Sequence, residues 1–236
     1  DRDEAILAHA TGADAVLVVS GRLEGRLIQQ FKRCRVISRY GIGTDRIDVE
    51  AATRQGIIVT NIPGFSCQEV ADHAMAFLLT VARKIRFYEG QMRGGIRPTS
   101  NLDDLHRLSA CTLGIIGFGQ IGQHIARRAL GFGMRIIACD PRFDADGARY
   151  CAVEEVDLVS LLRLSDYVVL ACPLLPETRG MIAMDQLRTM KRSAVLINVA
   201  RGDLVNEDDL VRALREKVIR FAALDVFGQI DVFDQK

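Results

Sequence analysis

Short apolar runs alternate with amphipathic stretches along the whole chain, and few folds accept that alternation. Apolar or β-branched runs occupy residues 15–19, 35–38, 57–60, 113–116, 135–139, 167–171, 194–198 and 221–225. Between them, apolar residues recur three or four apart. The longest such stretch is 69–93, where Val70, Ala74, Leu78, Val81 and Ile85 form one stripe. Strands and helices taking turns predict an α/β fold, a parallel sheet covered by helices. With 236 residues, 49% of them hydrophobic, the chain can fill one large core or two smaller ones. The stretch GGIRPTSN at 94–101 is rich in Gly, Pro, Ser and Asn and predicts a hinge. It sets a first lobe at 1–93, a second at 94–227 and a tail at 228–236, where DVFGQ from Asp225 nearly repeats as DVFDQ from Asp231.

Charge narrows the partners. Lys and Arg number 31 against 30 Asp and Glu, a net charge of +1, so no basic footprint points to nucleic acid or an anionic membrane surface. No apolar run reaches the roughly 18 residues of a membrane span, and the start does not resemble a signal peptide. A small molecule is the expected partner. The cysteines at 34, 67, 111, 139, 151 and 172 form no CxxC pair and have no partnered His spacing. They read as reduced core thiols of a cytoplasmic protein, and no metal site is expected.

The run LGIIGFGQIGQHIARR places a β-rich segment directly before Gly117, Gly119 and Gly122, and helical periodicity directly after them. Gly-x-Gly-x-x-Gly alone is a weak signal; the order strand, glycine turn, helix makes it specific. Gly117 allows a sharp turn, Gly119 a close approach of backbone to a pyrophosphate, and Gly122 close packing of helix on strand. The helix N-terminus then offers unpaired N–H groups to the phosphates. The next strand ends in Asp140, whose carboxylate suits the adenosine-ribose hydroxyls and repels a 2′-phosphate, so NAD is expected over NADP. The second lobe is therefore read as a doubly wound, parallel-sheet dinucleotide-binding domain. The plainer reading has the glycines serving packing and Asp140 capping a loop.

Further residues fall at strand ends on the same expected edge. Arg201, after the strand in VLINVARGDLV, has a planar fork that suits a carboxylate and a carbonyl oxygen; the alternative is a surface arginine closing a loop. Asp225, which LDVF puts at the end of another strand, can accept a bond from a nicotinamide amide or cap a helix or turn. YGIGTDRID, from Tyr40, offers backbone N–H groups to an anion, or is only a turn. The histidines at 9, 73, 106 and 124 show no carboxylate partner in the sequence and are read as structural or solvated.

Taken together, YGIGTDRID, GIIVTNIPG, EVADHAMAFLL, LGIIGFGQIG, CDP, CPLLPETRGMI, INVARGDLVNEDDL and AALDVF occur in an order that resembles the D-isomer-specific 2-hydroxyacid dehydrogenases, over about residues 13–227. The resemblance implies two Rossmann-like lobes, the first a smaller, flavodoxin-like substrate lobe that is incomplete. It implies a hydride transfer between NAD and a small D-2-hydroxy or 2-keto acid. Arg201 would be the catalytic arginine, also lining the cofactor. Ile42 and Gly43 would hold the substrate carboxylate through backbone N–H groups. Gln120 and Ile121 would meet the pyrophosphate, Asp140 the ribose and Asp225 the carboxamide, with Cys172, Pro173, Val199 and Ala200 lining the cofactor. The helix at 69–93 would form a homodimer.

The chain departs from the family pattern at its ends. It lacks an initiating Met, and part of the opening strand and helix is missing. Ile230 stands where the family's catalytic glutamate is expected, and the sequence ends at Lys236 before any Pro-His strand. The expectation is a chain truncated or altered at both ends, which binds NAD(H) and turns over keto acids poorly. The alternative is a non-catalytic NAD-binding module of corepressor type.

Overall fold

The computed structural model describes residues 2–96, 105–149 and 151–228. The chain divides into two compact units, Asp1–Ser66 and Cys67–Lys236.

The first unit runs α1 (Arg2–Ala10), β1 (Ala15–Val18), α2 (Gly25–Ile28), β2 (Val36–Arg39), α3 (Val49–Arg54) and β3 (Ile58–Thr60). Its three strands are parallel in the order β1-β2-β3. Ile28, Phe31, Ile37, Ala52 and Ile57 form its core. Helix α3 begins where the Asp48 carboxylate accepts the Ala51 N–H at 2.8 Å, satisfying a donor that the helix cannot pair.

The second unit opens with α4 (Cys67–Ala82) and α5 (Ile85–Arg93). It continues with β4 (Thr112–Ile116), α6 (Gln120–Leu130), β5 (Arg135–Cys139), α7 (Ala145–Arg149), β6 (Val153–Glu155) and α8 (Leu158–Leu164). It ends with β7 (Tyr167–Leu170), α9 (Met184–Thr189), β8 (Val195–Asn198), α10 (Glu207–Arg215) and β9 (Phe221–Leu224). The six strands are all parallel in the order β6-β5-β4-β7-β8-β9. Chain order therefore runs outward from β4 in one direction and from β7 in the other, the doubly wound pattern with its switch point between them. Residues alternate between the two faces. Leu113, Ile115, Val169 and Ile197 pack with α4 and α6, while Ile116, Val168, Leu170 and Leu196 pack with α8, α9 and α10.

Three features differ from the sequence expectation. The stretch read as one helix over 69–93 is two, broken at Lys84, which takes a left-handed backbone with φ +52°. The break rotates the chain, so Ile85 leaves the buried stripe and lies half exposed. Strand β6 was not expected, because two of its three residues are Glu; it is an edge strand whose exposed side chains leave no apolar signal. The units part between Ser66 and Cys67 rather than at 93/94, because Ala71, Ala74 and Leu78 of α4 share a core with Ile125 and Ala129 of α6. Residues 97–101 of the expected hinge and 229–236 of the tail, including Ile230, lie outside the described residues. Among the described residues, no helix is long and apolar enough to cross a membrane.

Candidate functional site

Parallel strands put their C-terminal ends on one edge, so Gly117, Asp140, Cys172, Arg201 and Asp225 all follow strand ends there. The glycines are shaped by different demands. Gly117 has φ +96°, and a Cβ on it would lie 2.5 Å from the Cys172 backbone nitrogen. A Cβ on Gly122 would meet the Gly117 carbonyl oxygen at 2.2 Å. At Gly119 a Cβ would meet nothing within 4 Å, so the backbone there is open to a ligand. The first bond inside α6 is from Gln123 N–H to the Gly119 carbonyl, leaving the N–H groups of Gln120, Ile121 and Gly122 ahead of it. Positive charge at Arg127 and Arg128 complements the far end of the helix.

Asp140 is half-buried and holds the glycine loop as well as the edge. Its Oδ2 accepts the Phe118 N–H at 2.7 Å and its Oδ1 accepts the Arg142 N–H at 2.7 Å. Phe118, 1% exposed, stacks on Phe143 with centroids 5.1 Å apart. Beyond β7, Thr178 Oγ1 donates to the Pro173 carbonyl and accepts the Leu175 N–H, folding the turn after Cys172. Burial pushes the Cys172 thiol up to about 11.

The turn after β8 is built on Asn198, a polar side chain only 1% exposed. Its Oδ1 accepts the Ala200 N–H at 3.0 Å and its Nδ2 donates to the Arg201 carbonyl at 2.8 Å. Both ends of the amide are used, and the backbone of Val199, Ala200 and Arg201 is fixed at the sheet edge. Arg201 is half-buried, with Nη1 donating to the Ala200 carbonyl at 2.7 Å. Gly202 is required by crowding: a Cβ there would lie 2.1 Å from the Phe227 carbonyl carbon.

Two contacts at this edge were missed by sequence reasoning. His73, read as structural or solvated, brings Nε2 to 3.3 Å from Asp225 Oδ1, with its ring edge-on to Phe77. Cys67, the buried first residue of α4, donates its thiol to Gln120 Oε1 at 3.4 Å, and burial raises the thiol's pKa. Neither pair is near in sequence, and no local pattern signals either.

In the first unit, Ile42 and Gly43 lie in the turn after β2, entered through Gly41 at φ +146°. Their backbone N–H groups make no hydrogen bond to any described residue. No cluster of three or more His, Cys, Asp or Glu suited to a metal ion occurs among the described residues.

A doubly wound parallel sheet with a glycine turn at its first strand, an open helix N-terminus and an acidic residue closing its second strand defines a dinucleotide-binding protein. Similarity to known proteins narrows the class. The family model for "D-isomer specific 2-hydroxyacid dehydrogenase, NAD binding domain" matches residues 75–234. A glyoxylate reductase of Thermococcus gammatolerans is 38% identical over 242 residues, covering 99% of this chain and 72% of the relative. A D-3-phosphoglycerate dehydrogenase of Methanocaldococcus jannaschii is 41% identical over 228 residues, covering 96% of this chain but 43% of the relative. Among solved structures, the D-lactate dehydrogenase of Aquifex aeolicus with NAD and lactic acid has a TM-score of 0.91 at 30% identity, covering 96% of this chain and 68% of that one. An acyclic imino acid reductase with NADPH and D-Arg has a TM-score of 0.89 at 30% identity, covering 97% of this chain and 73% of that one. The chain belongs to the D-isomer specific 2-hydroxyacid dehydrogenases, a family of NAD-dependent oxidoreductases, and contains their NAD-binding domain. These similarities give no support to a corepressor-type module.

Proposed function

We infer that the protein transfers a hydride between NAD(H) and a small D-2-hydroxy acid or the matching 2-keto acid. The observation that carries this reading is the gathering of an open glycine turn, Asp140, Arg201 and Asp225 at one sheet edge. Bound there, the nicotinamide supplies or accepts the hydride. The N–H groups of Gln120 and Ile121 take the pyrophosphate, and Asp140 takes the adenosine ribose in preference to a 2′-phosphate. The backbone of Cys172, Pro173, Val199 and Ala200 lines the cofactor, and Asp225 accepts from the carboxamide. Arg201 holds the acid and stabilises negative charge developing on the oxygen at its second carbon. Ile42 and Gly43 hold the substrate carboxylate through their N–H groups, making the first unit the substrate lobe.

The assembly proposed is a homodimer through α4 and α5. An open groove of about 700 Å³, lined by Phe77, Val81, Phe87, Phe221 and Ala223 among others, gives a second copy an apolar face to cover. A cytoplasmic setting fits the six unpaired thiols. Steady-state NADH oxidation with glyoxylate, hydroxypyruvate and pyruvate tests the reaction, with acetaldehyde as the control lacking a carboxylate. Slow but saturable oxidation with a keto acid, the alkoxide taking its proton from water, and none with the aldehyde is expected. Equal rates with both would contradict the reading.

A further inference from the structure

We propose that Arg39 and Asn61 are positioning residues that aim the backbone N–H groups of the Tyr40–Gly43 turn at the substrate carboxylate. The inference rests on the reading above, in which Ile42 and Gly43 bind that carboxylate. All four carbonyl oxygens of the turn are taken by donors from the same unit. The Tyr40 carbonyl accepts from Arg39 Nη1 at 2.9 Å and the Gly43 carbonyl from Arg39 Nε at 3.1 Å. The Gly41 carbonyl accepts from Ile62 N–H at 3.0 Å, and the Ile42 carbonyl from Asn61 Nδ2 at 2.8 Å. Arg39 Nη1 also donates to the Val18 carbonyl at 3.1 Å and to that of Val19, so the guanidinium ties the turn to the end of β1.

Peptide planarity turns these bonds into an orientation. In a trans peptide the N–H points opposite to the preceding C=O, so holding one carbonyl aims the next amide. Ile62 therefore sets the Ile42 N–H, Asn61 sets the Gly43 N–H, and Arg39 sets the Thr44 N–H. None of these three donors has a hydrogen-bond acceptor among the described residues. Three successive amides with their carbonyls drawn away form a cradle for an anion, and the cationic guanidinium that anchors it adds favourable charge. Thr44 thereby joins Ile42 and Gly43 as a donor.

A purely structural role for Arg39, closing the end of β1, predicts a loss of stability alone. Positioning predicts a loss of selectivity for the charged carboxylate. The test titrates the NADH complex with oxamate, an unreactive keto-acid analogue, and with ethyl oxamate, which lacks the charge, following NADH fluorescence. Asn61→Ala removes one hydrogen bond from an exposed side chain and should lower the preference for oxamate over its ester about three- to tenfold. Arg39→Lys keeps the charge but loses the fork, and should lower it about ten- to a hundredfold. NADH affinity should stay within about twofold in both. An unchanged preference in folded Asn61→Ala overturns the proposal, including when Arg39→Lys fails to fold. If the wild-type protein itself binds acid and ester equally, the carboxylate reading of Ile42 and Gly43 fails instead.

Discussion

Asp140 is part of the scaffold, and in the proposed reading it serves the cofactor as well. Its carboxylate fixes the Phe118 N–H inside the glycine turn, so removing it should disturb that turn along with the proposed ribose contact. Asp140→Asn keeps an acceptor for Phe118 and removes the charge. It should weaken NADH about tenfold and narrow the gap between NADH and NADPH, read by fluorescence titration of both. Asp140→Ala should lower stability by about 1–3 kcal/mol as well, because it leaves the Phe118 donor unsatisfied. Cys172 titrates in the opposite sense to a paired acid. Burial favours its neutral form and raises it from an ordinary 9.0 to about 11. Its contribution to stability is therefore present below about pH 9 and lost as pH rises toward 11. Iodoacetamide should label Cys172 slowly at pH 8 and faster above pH 10, followed by peptide mass; rapid labelling at pH 8 would refute the burial argument. The glycines and Asp140 were legible in the sequence because the spacing of a strand–turn–helix unit is local. His73 beside Asp225 was not, since that pair exists only once α4 has packed near the end of β9.

Elements were legible where their burial was strong. The buried strands β4, β7 and β8 are nearly continuous apolar runs, as a sheet covered on both faces demands. The break between α4 and α5 was hidden because Lys84, not Gly, takes the left-handed backbone, and β6 was hidden because an exposed edge needs no apolar pattern. Helix α6 depends on Gly122 for its distance from β4. Gly122→Ala should cost about 1–3 kcal/mol, lower Tm and abolish NADH binding, because the added carbon meets backbone that cannot give way. Gly90→Ala, exposed in α5 with nothing within 4 Å, should instead gain about 0.5–1 kcal/mol. Thermal denaturation of the pair checks both signs; equal shifts would mean that neither depends on local space.

At the scale of the whole molecule, the alternating pattern predicted the α/β class and the stretch at 94–101 predicted two lobes, while the boundary depended on which unit claims α4. That helix carries apolar residues along most of its length, and only packing against α6 decides the matter. Its continuation into α5 exposes Phe87, and Phe221 lies half exposed on β9 beside the same groove. Phe87→Glu should convert a dimer to a monomer in sedimentation velocity while NADH binding persists; a wild-type protein that sediments as a monomer would remove the dimer from the account. In the proposed reaction, cofactor and acid meet at one edge of the larger sheet and Arg201 grips the acid. Arg201→Lys is the decisive variant, since it keeps the charge and loses the planar fork that suits an acid. In this variant kcat/KM for a keto acid should fall about a hundredfold or more while NADH affinity stays within about twofold. Wild-type kcat/KM in Arg201→Lys would contradict it.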